Sequence, residues 1–203
     1  MQQLSDDSLL VGTADPTSPG AGFFGATVEL VRLVDNDHDG VADFESILES
    51  GVPAAGTPIA GNFSGAKAGD EIGLFRGRTG GGAFLRWTLD SDGDNVLELA
   101  DAHLDVDLQT YPELRDLLRG NGGAMQWIQP LVGDFNGDGE DDLAIFDALN
   151  DVFHFDLDRD GRRDDLLGFG LPGGSERPVA GDLNLDQIDD IGLFAHAGSA
   201  AAT

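Results

Sequence analysis

The chain of 203 residues has no cysteine, so neither disulfides nor thiolate chemistry contributes to it. Basic residues are scarce as well: 11 Lys and Arg stand against 38 Asp and Glu, a formal charge of −27. That balance excludes nucleic acid and anionic membrane surfaces as partners, because Lys and Arg do the binding in both cases. No apolar run approaches the roughly 18 residues of a membrane span, so membrane insertion is not expected. Met1–Asp7 lacks the basic and apolar regions of a signal peptide; an export signal is expected outside this chain. The four His (His38, His103, His154, His196) show no zinc spacing, and no Gly-x-Ser-x-Gly elbow occurs. No enzyme is expected.

What the chain does have is acid in short clusters between apolar runs, together with 30 Gly and 12 Phe. An acidic disordered segment would have far less apolar content than the 40% found. The pattern instead calls for a cation and for an all-β, turn-rich fold.

Three segments align: PIAGNFSGAKAGDEIGLF (58–75), PLVGDFNGDGEDDLAIF (130–146) and PVAGDLNLDQIDDIGLF (178–194). Each reads as Pro, a short apolar strand, Gly, an acidic loop and a second strand ending in Phe. A second kind alternates with them: VELVRLVDNDHDGVADF (28–44), FLRWTLDSDGDNVLEL (84–99) and VFHFDLDRDGRRDDLL (152–167). The loops start at Asp35, Asn62, Asp90, Asp134, Asp156 and Asp182, at intervals of 22 to 28 residues with one of 44. The long interval holds Asp107–Arg119, whose apolar residues recur at helical spacing and predict an inserted helix.

One full unit contains four strands, at roughly 130–134, 142–147, 151–156 and 165–169, which is the unit of a β-propeller blade. The expected architecture is an all-β, propeller-like array of four-stranded antiparallel blades with calcium loops and one short inserted helix. An open β-solenoid of the same units is the alternative. The expected organisation is an N-terminal extension (1–25), one repeat domain (26–197) and a flexible tail (198–203). Within the domain come a half unit (26–57), a unit with a helical insertion at about 101–123 (58–129), a unit (130–177) and a half unit (178–197). Three units are few for a closed ring, so pairing of two chains to close it is a further expectation.

Calcium takes six to eight hard oxygen ligands, and Asp or Asn at loop positions 1, 3, 5 and 9 can converge on one ion. The loops supply Asp35, Asp37, Asp39 and Asp43; Asp90, Asp92, Asp94 and Glu98; Asp134, Asn136, Asp138 and Asp142; Asp156, Asp158, Asp160 and Asp164; Asp182, Asn184, Asp186 and Asp190. The Asn62 loop has Ser64 and Ala66 at positions 3 and 5 and is expected to bind weakly or not at all. The loops at Asp134, Asp156 and Asp182 are not EF-hands, since position 12 is Ile145, Leu167 or Leu193, inside strands; the Asp90 loop is ambiguous, with Asp101 at position 12 and a helix possible after it. Magnesium suits dense carboxylate cages less well. Five calcium ions would bring the formal charge to about −17, so binding should couple to folding.

The segment GDFNGDGEDDLAIF (133–146) and its partners resemble FG-GAP (VCBS-like) repeats, the units of integrin α-subunit propellers and of many secreted bacterial proteins. The resemblance implies calcium held between the first two strands of each blade, an extracellular or cell-surface setting, and adhesion to a protein or glycan ligand. The second loop type is extra to the integrin pattern. Trp87, Tyr111 and Trp127 border the insertion and are candidates for stacking on a sugar in a lectin-like alternative. The competing reading puts both Trp in the core beside Phe84 and Met125.

Overall fold

The computed structural model describes residues 9–11, 30–34, 44–47, 56–64, 70–80, 82–93, 97, 101–120, 124–170 and 176–194. The chain divides into two compact units: Met1–Ala55 with Val96–Ala100, and Gly56–Asn95 with Asp101–Thr203. In the first, β1 (Leu9–Val11), β2 (Leu30–Val34) and β3 (Phe44–Ile47) form an antiparallel sheet in that order. Val34 pairs with Phe44, so β2 and β3 flank the expected loop between them. Strand β1 falls within the stretch read as an extension.

The second unit repeats one motif. Strands β4 (Thr57–Gly61), β5 (Glu71–Arg78), β6 (Phe84–Leu89) and β7 (Ala102–Asp105) form a simple antiparallel meander. Strands β8 (Ile128–Gly133), β9 (Asp142–Asp147), β10 (Val152–Asp156) and β11 (Asp165–Gly168) form a second, and β12 (Arg177–Gly181) with β13 (Asp190–Phe194) a hairpin. The first strands line up, β4 beside β8 and β8 beside β12. Among the described residues the sheets form an open series, and no ring is closed.

Each sheet buries both faces when it has a neighbour on each side, which explains the unbroken apolar runs. In β9 every residue is buried. Leu143 and Ile145 join Phe75, Leu85, Trp87 and Leu89 in one core cluster. Ala144 and Phe146, one residue out of phase, join Leu131, Phe153 and Phe155 in another, which Ala180, Ile191 and Leu193 of the hairpin cover. This is the two-residue period of a strand packed on both sides. The Phe75 and Trp87 rings lie 4.4 Å apart, a contact worth about 1 kcal/mol beyond the area it buries.

The inserted helix α1 spans Pro112–Gly120, shorter than the expected 107–119. Pro112 supplies no N–H and suits the first helical position, so the chain before it turns instead of coiling. Leu114, Leu117 and Leu118 share one face and are buried. Strand β7 is a second correction, since the insertion was expected to begin at about 101. The fourth strand of this sheet lies at 102–105, pairing Leu104 with Trp87. No helix among the described residues is long and apolar enough to cross a membrane.

Candidate metal centres

Every acidic loop with both ends described is shaped the same way. The N–H of position 2 donates to the carboxylate that closes the loop: Phe135 to Asp142 at 3.0 Å, Leu157 to Asp164 at 2.7 Å and Leu183 to Asp190 at 3.2 Å. The position 1 carboxylate accepts from the far side of the turn. Asp134 takes Gly137 at 2.6 Å and Gly139 at 2.9 Å, Asp156 takes Asp160 at 3.1 Å and Gly161 at 2.9 Å, and Asp182 takes Asp186 and Gln187 at 3.0 Å. The ring of N–H donors fixes where the carboxylates stand.

Such a turn needs a left-handed backbone at two positions. Gly137 and Gly139 meet this freely, at φ of 80° and 89°. In the last loop the same places hold Leu185 and Gln187, at 66° and 74°, where a side chain costs about 1 kcal/mol each. Leu185→Gly and Gln187→Gly are each expected to raise stability by about 1 kcal/mol, read from the urea midpoint at unchanged slope. A loss of stability in both would remove the strain argument.

Two groups bring three carboxylate oxygens within 4.8 Å of one another: Asp156, Asp158 and Asp160, and Asp90, Asp92 and Asp101. Oxygens bound to one calcium at 2.3–2.6 Å lie within about 5 Å of each other, so both groups fit a calcium ion. Asp90 and Asp156 are fully buried, and Asp101 nearly so. Asp92, Asp158 and Asp160 are exposed, so each group opens to solvent on one side. Asp164 is exposed and closes its loop without joining the first group. The loops at Asp134 and Asp182 keep the same turn but are not among the groups drawn that close. In the former, the amide of Asn136 donates to Asp142 at 3.0 Å.

Asp101, at position 12 of the Asp90 loop, is a closing residue that the expected ligand set left out. Glu98, at position 9, was expected to close this loop, yet Asp101 accepts from the Ser91 N–H at 3.1 Å. That bond is the one Asp142, Asp164 and Asp190 make elsewhere. The signal was the alternating strand that follows at Ala102–Asp105, not the count from Asp90. Glu98 and Asp94 lie outside the described residues, as do Asp35, Asp37, Asp39 and Asp43.

In the Asn62 loop the closing acid is Glu71. Glu71 is buried and accepts from Phe63 N–H at 2.7 Å, Ser64 N–H at 3.2 Å and the Ser64 hydroxyl at 2.5 Å.

Electrostatics separate the loops further. Burial pushes Asp142 up to about 7, with Asp138 and Asp134 adding to it. Burial likewise pushes Asp156 up to about 6, with Asp160 and Asp158 adding. Arg159, within the Asp156 loop, donates to the carbonyls of Phe63 at 2.9 Å and Asp141 at 3.1 Å and pairs with Glu140. It ties three loops together.

The aromatic candidates do not form a sugar platform. Trp87 is 1% exposed and Tyr111 2%, both inside the first core cluster, where no ring face can reach a ligand. Trp127 is half-buried, wedged between the two clusters. The reading that both Trp fill the core is the one the packing supports.

Comparison with protein-family models, with curated proteins and with solved structures finds no match for this chain.

Proposed function

We propose that this chain is a non-catalytic, calcium-binding repeat module of the FG-GAP (VCBS-like) kind. In this reading calcium stabilises its fold, and it serves adhesion, surface or matrix interactions outside the cell. The observation that carries the reading is the pair of three-carboxylate groups, each with a buried Asp at the first loop position, built by two different loops of one repeated design. Asp156, Asp158 and Asp160 would hold one ion, Asp90, Asp92 and Asp101 another. The loops at Asp134 and Asp182, and the one at Asp35–Asp43, would complete about five sites. The ion would supply positive charge among the clustered carboxylates, and the surrounding N–H groups would hold those carboxylates in place.

Titration calorimetry on chelator-treated protein tests this. About four to five calcium ions per chain should bind, with dissociation constants of roughly 0.1 to 1 mM. The Asp156 loop, with four carboxylates, should bind tighter than the Asp182 loop, where Asn184 replaces one. Absence of saturable binding up to 10 mM calcium ends the proposal.

A further inference from the structure

Loops of neighbouring sheets are clasped through the main chain, twice in the same way. The Asp141 N–H donates to the Asn62 carbonyl at 2.9 Å, and the Asn62 N–H donates back to the Asp141 carboxylate at 2.8 Å. One repeat later, Asp189 and Asp134 exchange the same pair of bonds at 2.7 and 3.1 Å. The two acidic loops of one sheet, at Asp134 between β8 and β9 and at Asp156 between β10 and β11, are joined by side chains instead. Arg159, at position 4 of the second loop, donates to the Asp141 carbonyl at 3.1 Å and pairs with Glu140, positions 8 and 7 of the first. Its guanidinium also reaches the Phe63 carbonyl, at 2.9 Å, in the loop of the preceding sheet. From the first loop, the Asn136 amide nitrogen donates to the Leu157 carbonyl and to the Asp142 carboxylate, both at 3.0 Å.

Both residues depart from what the turn alone requires. Position 4 takes a left-handed backbone, which Gly93 and Gly137 adopt freely; Arg159 holds a φ of 56° there, a conformation that disfavours a side chain. Position 3 is Asp in the loops at Asp35, Asp90 and Asp156 but Asn136 here. A carboxylate at 136 would have no proton to donate, and would face the acceptors Asp142 and Leu157 carbonyl. The Asn136 Oδ1 accepts from the Asp138 N–H at 2.9 Å, so the two ends of the amide are told apart by their partners. These bonds meet each loop where its acids are set. Asp142 closes the first loop, and Leu157 and Arg159 flank Asp158 of the three-carboxylate group in the second.

We propose that calcium binding at the Asp134 loop and at the Asp156 loop is positively cooperative, with Arg159 as the positioning residue that carries the coupling; this rests on the calcium reading above. An ion that orders Asp156, Asp158 and Asp160 holds Leu157 and Arg159 between them. These in turn hold Asn136, Glu140 and the Asp141 carbonyl, so the first loop has less left to order when its own ion binds. Mutual repulsion of the two ions works against this, and salt screens it between exposed sites over roughly 8 Å. Coupling is reciprocal, so each site raises the affinity of the other by the same factor, about fivefold or more.

Calcium titration of the chelator-treated protein, followed by NMR at glycine amides, tests this loop by loop. Gly137 and Gly139 donate to Asp134 and report the first loop, and Gly161 donates to Asp156 and reports the second. D158N/D160N disables the second loop and removes two negative charges, the same change in charge that a bound calcium makes. Its effect on the first loop therefore reads order and not net charge. Binding at Gly137 and Gly139 should weaken by about fivefold or more, and D134N/D138N should weaken binding at Gly161 by a like factor. In an R159G background, where Gly suits the left-handed backbone, the effect of D158N/D160N should fall below about twofold. R159M, which keeps the stem and drops the guanidinium, takes its place if R159G does not fold. An arginine with a structural role alone would lower both affinities and leave the ratio unchanged. Independent binding at the two loops, tighter binding at the first loop in D158N/D160N, or coupling that survives loss of the guanidinium would each overturn the proposal. No shift at any of the three glycines up to about 10 mM calcium would overturn the calcium reading itself, and this proposal with it.

Discussion

Lowering the pH from 8 to 5 is expected to weaken calcium binding about a hundredfold at the Asp134 loop and about tenfold at the Asp156 loop. Binding needs the ligand carboxylates ionised. Without the ion, Asp142 titrates at about 7 and Asp156 at about 6, both raised chiefly by burial. At pH 5 the first is ionised in about one molecule in a hundred and the second in about one in ten, and each factor of ten is about 1.4 kcal/mol. The ion-free protein should show the opposite trend from these groups. Their folded values lie above the ordinary 3.8. The folded state therefore holds protons that the unfolded state has released. Between about pH 4 and 7 that contribution favours folding less as pH rises, by up to about 1.4 kcal/mol per unit for each group still protonated. On the proposed reading, calcium and protons would compete for the same oxygens. Titrations at pH 5, 6, 7 and 8, with proton release measured in buffers of different ionisation enthalpy, check this; pH-independent affinity would contradict it.

Asp101→Ala is expected to abolish binding at the Asp90 site and to destabilise the calcium-loaded protein by about 3 kcal/mol. Glu98→Ala is expected to change either by less than about 0.5 kcal/mol. Asp101 is buried, lies within ligand distance of Asp90 and Asp92, and accepts from both the N–H and the hydroxyl of Ser91. Its removal strips the loop of a ligand and leaves the Ser91 donors unmatched, losses that cost about 1–3 kcal/mol each. The paired variants, compared by calcium titration and urea unfolding, separate the two assignments. Equal losses, or a larger loss from Glu98→Ala, would return the closing role to position 9.

The repeat itself was legible because it is written in spacing. Pro, Gly, Asp and Phe recur at fixed offsets, and the strands fell within two residues of 130–134, 142–147, 151–156 and 165–169. Position 1 of each loop could be read from the Gly or apolar run before it. The end of the Asp90 loop could not, because its length departs from the others and pattern alone does not say which acid folds back. Position 8 went unread for a different reason. Asp70, Asp141 and Asp189 recur in step, but adjacent acids in a loop look like further ligands until the preceding sheet's main chain is beside them. The aromatics misled in the same way. A Trp next to an insertion can face out or in, and the choice rests on α1, whose leucines cover Trp87 from a distance of some thirty residues in sequence.

The central claim is that bound calcium holds this fold together, and calorimetric unfolding with and without chelator tests it most directly. At calcium tenfold above the dissociation constant, each site adds about 1.4 kcal/mol, so five sites add about 7. For a chain of this length that corresponds to a rise in Tm of about 15 °C or more over the chelated protein. A transition at the same temperature in calcium and in chelator would contradict the account.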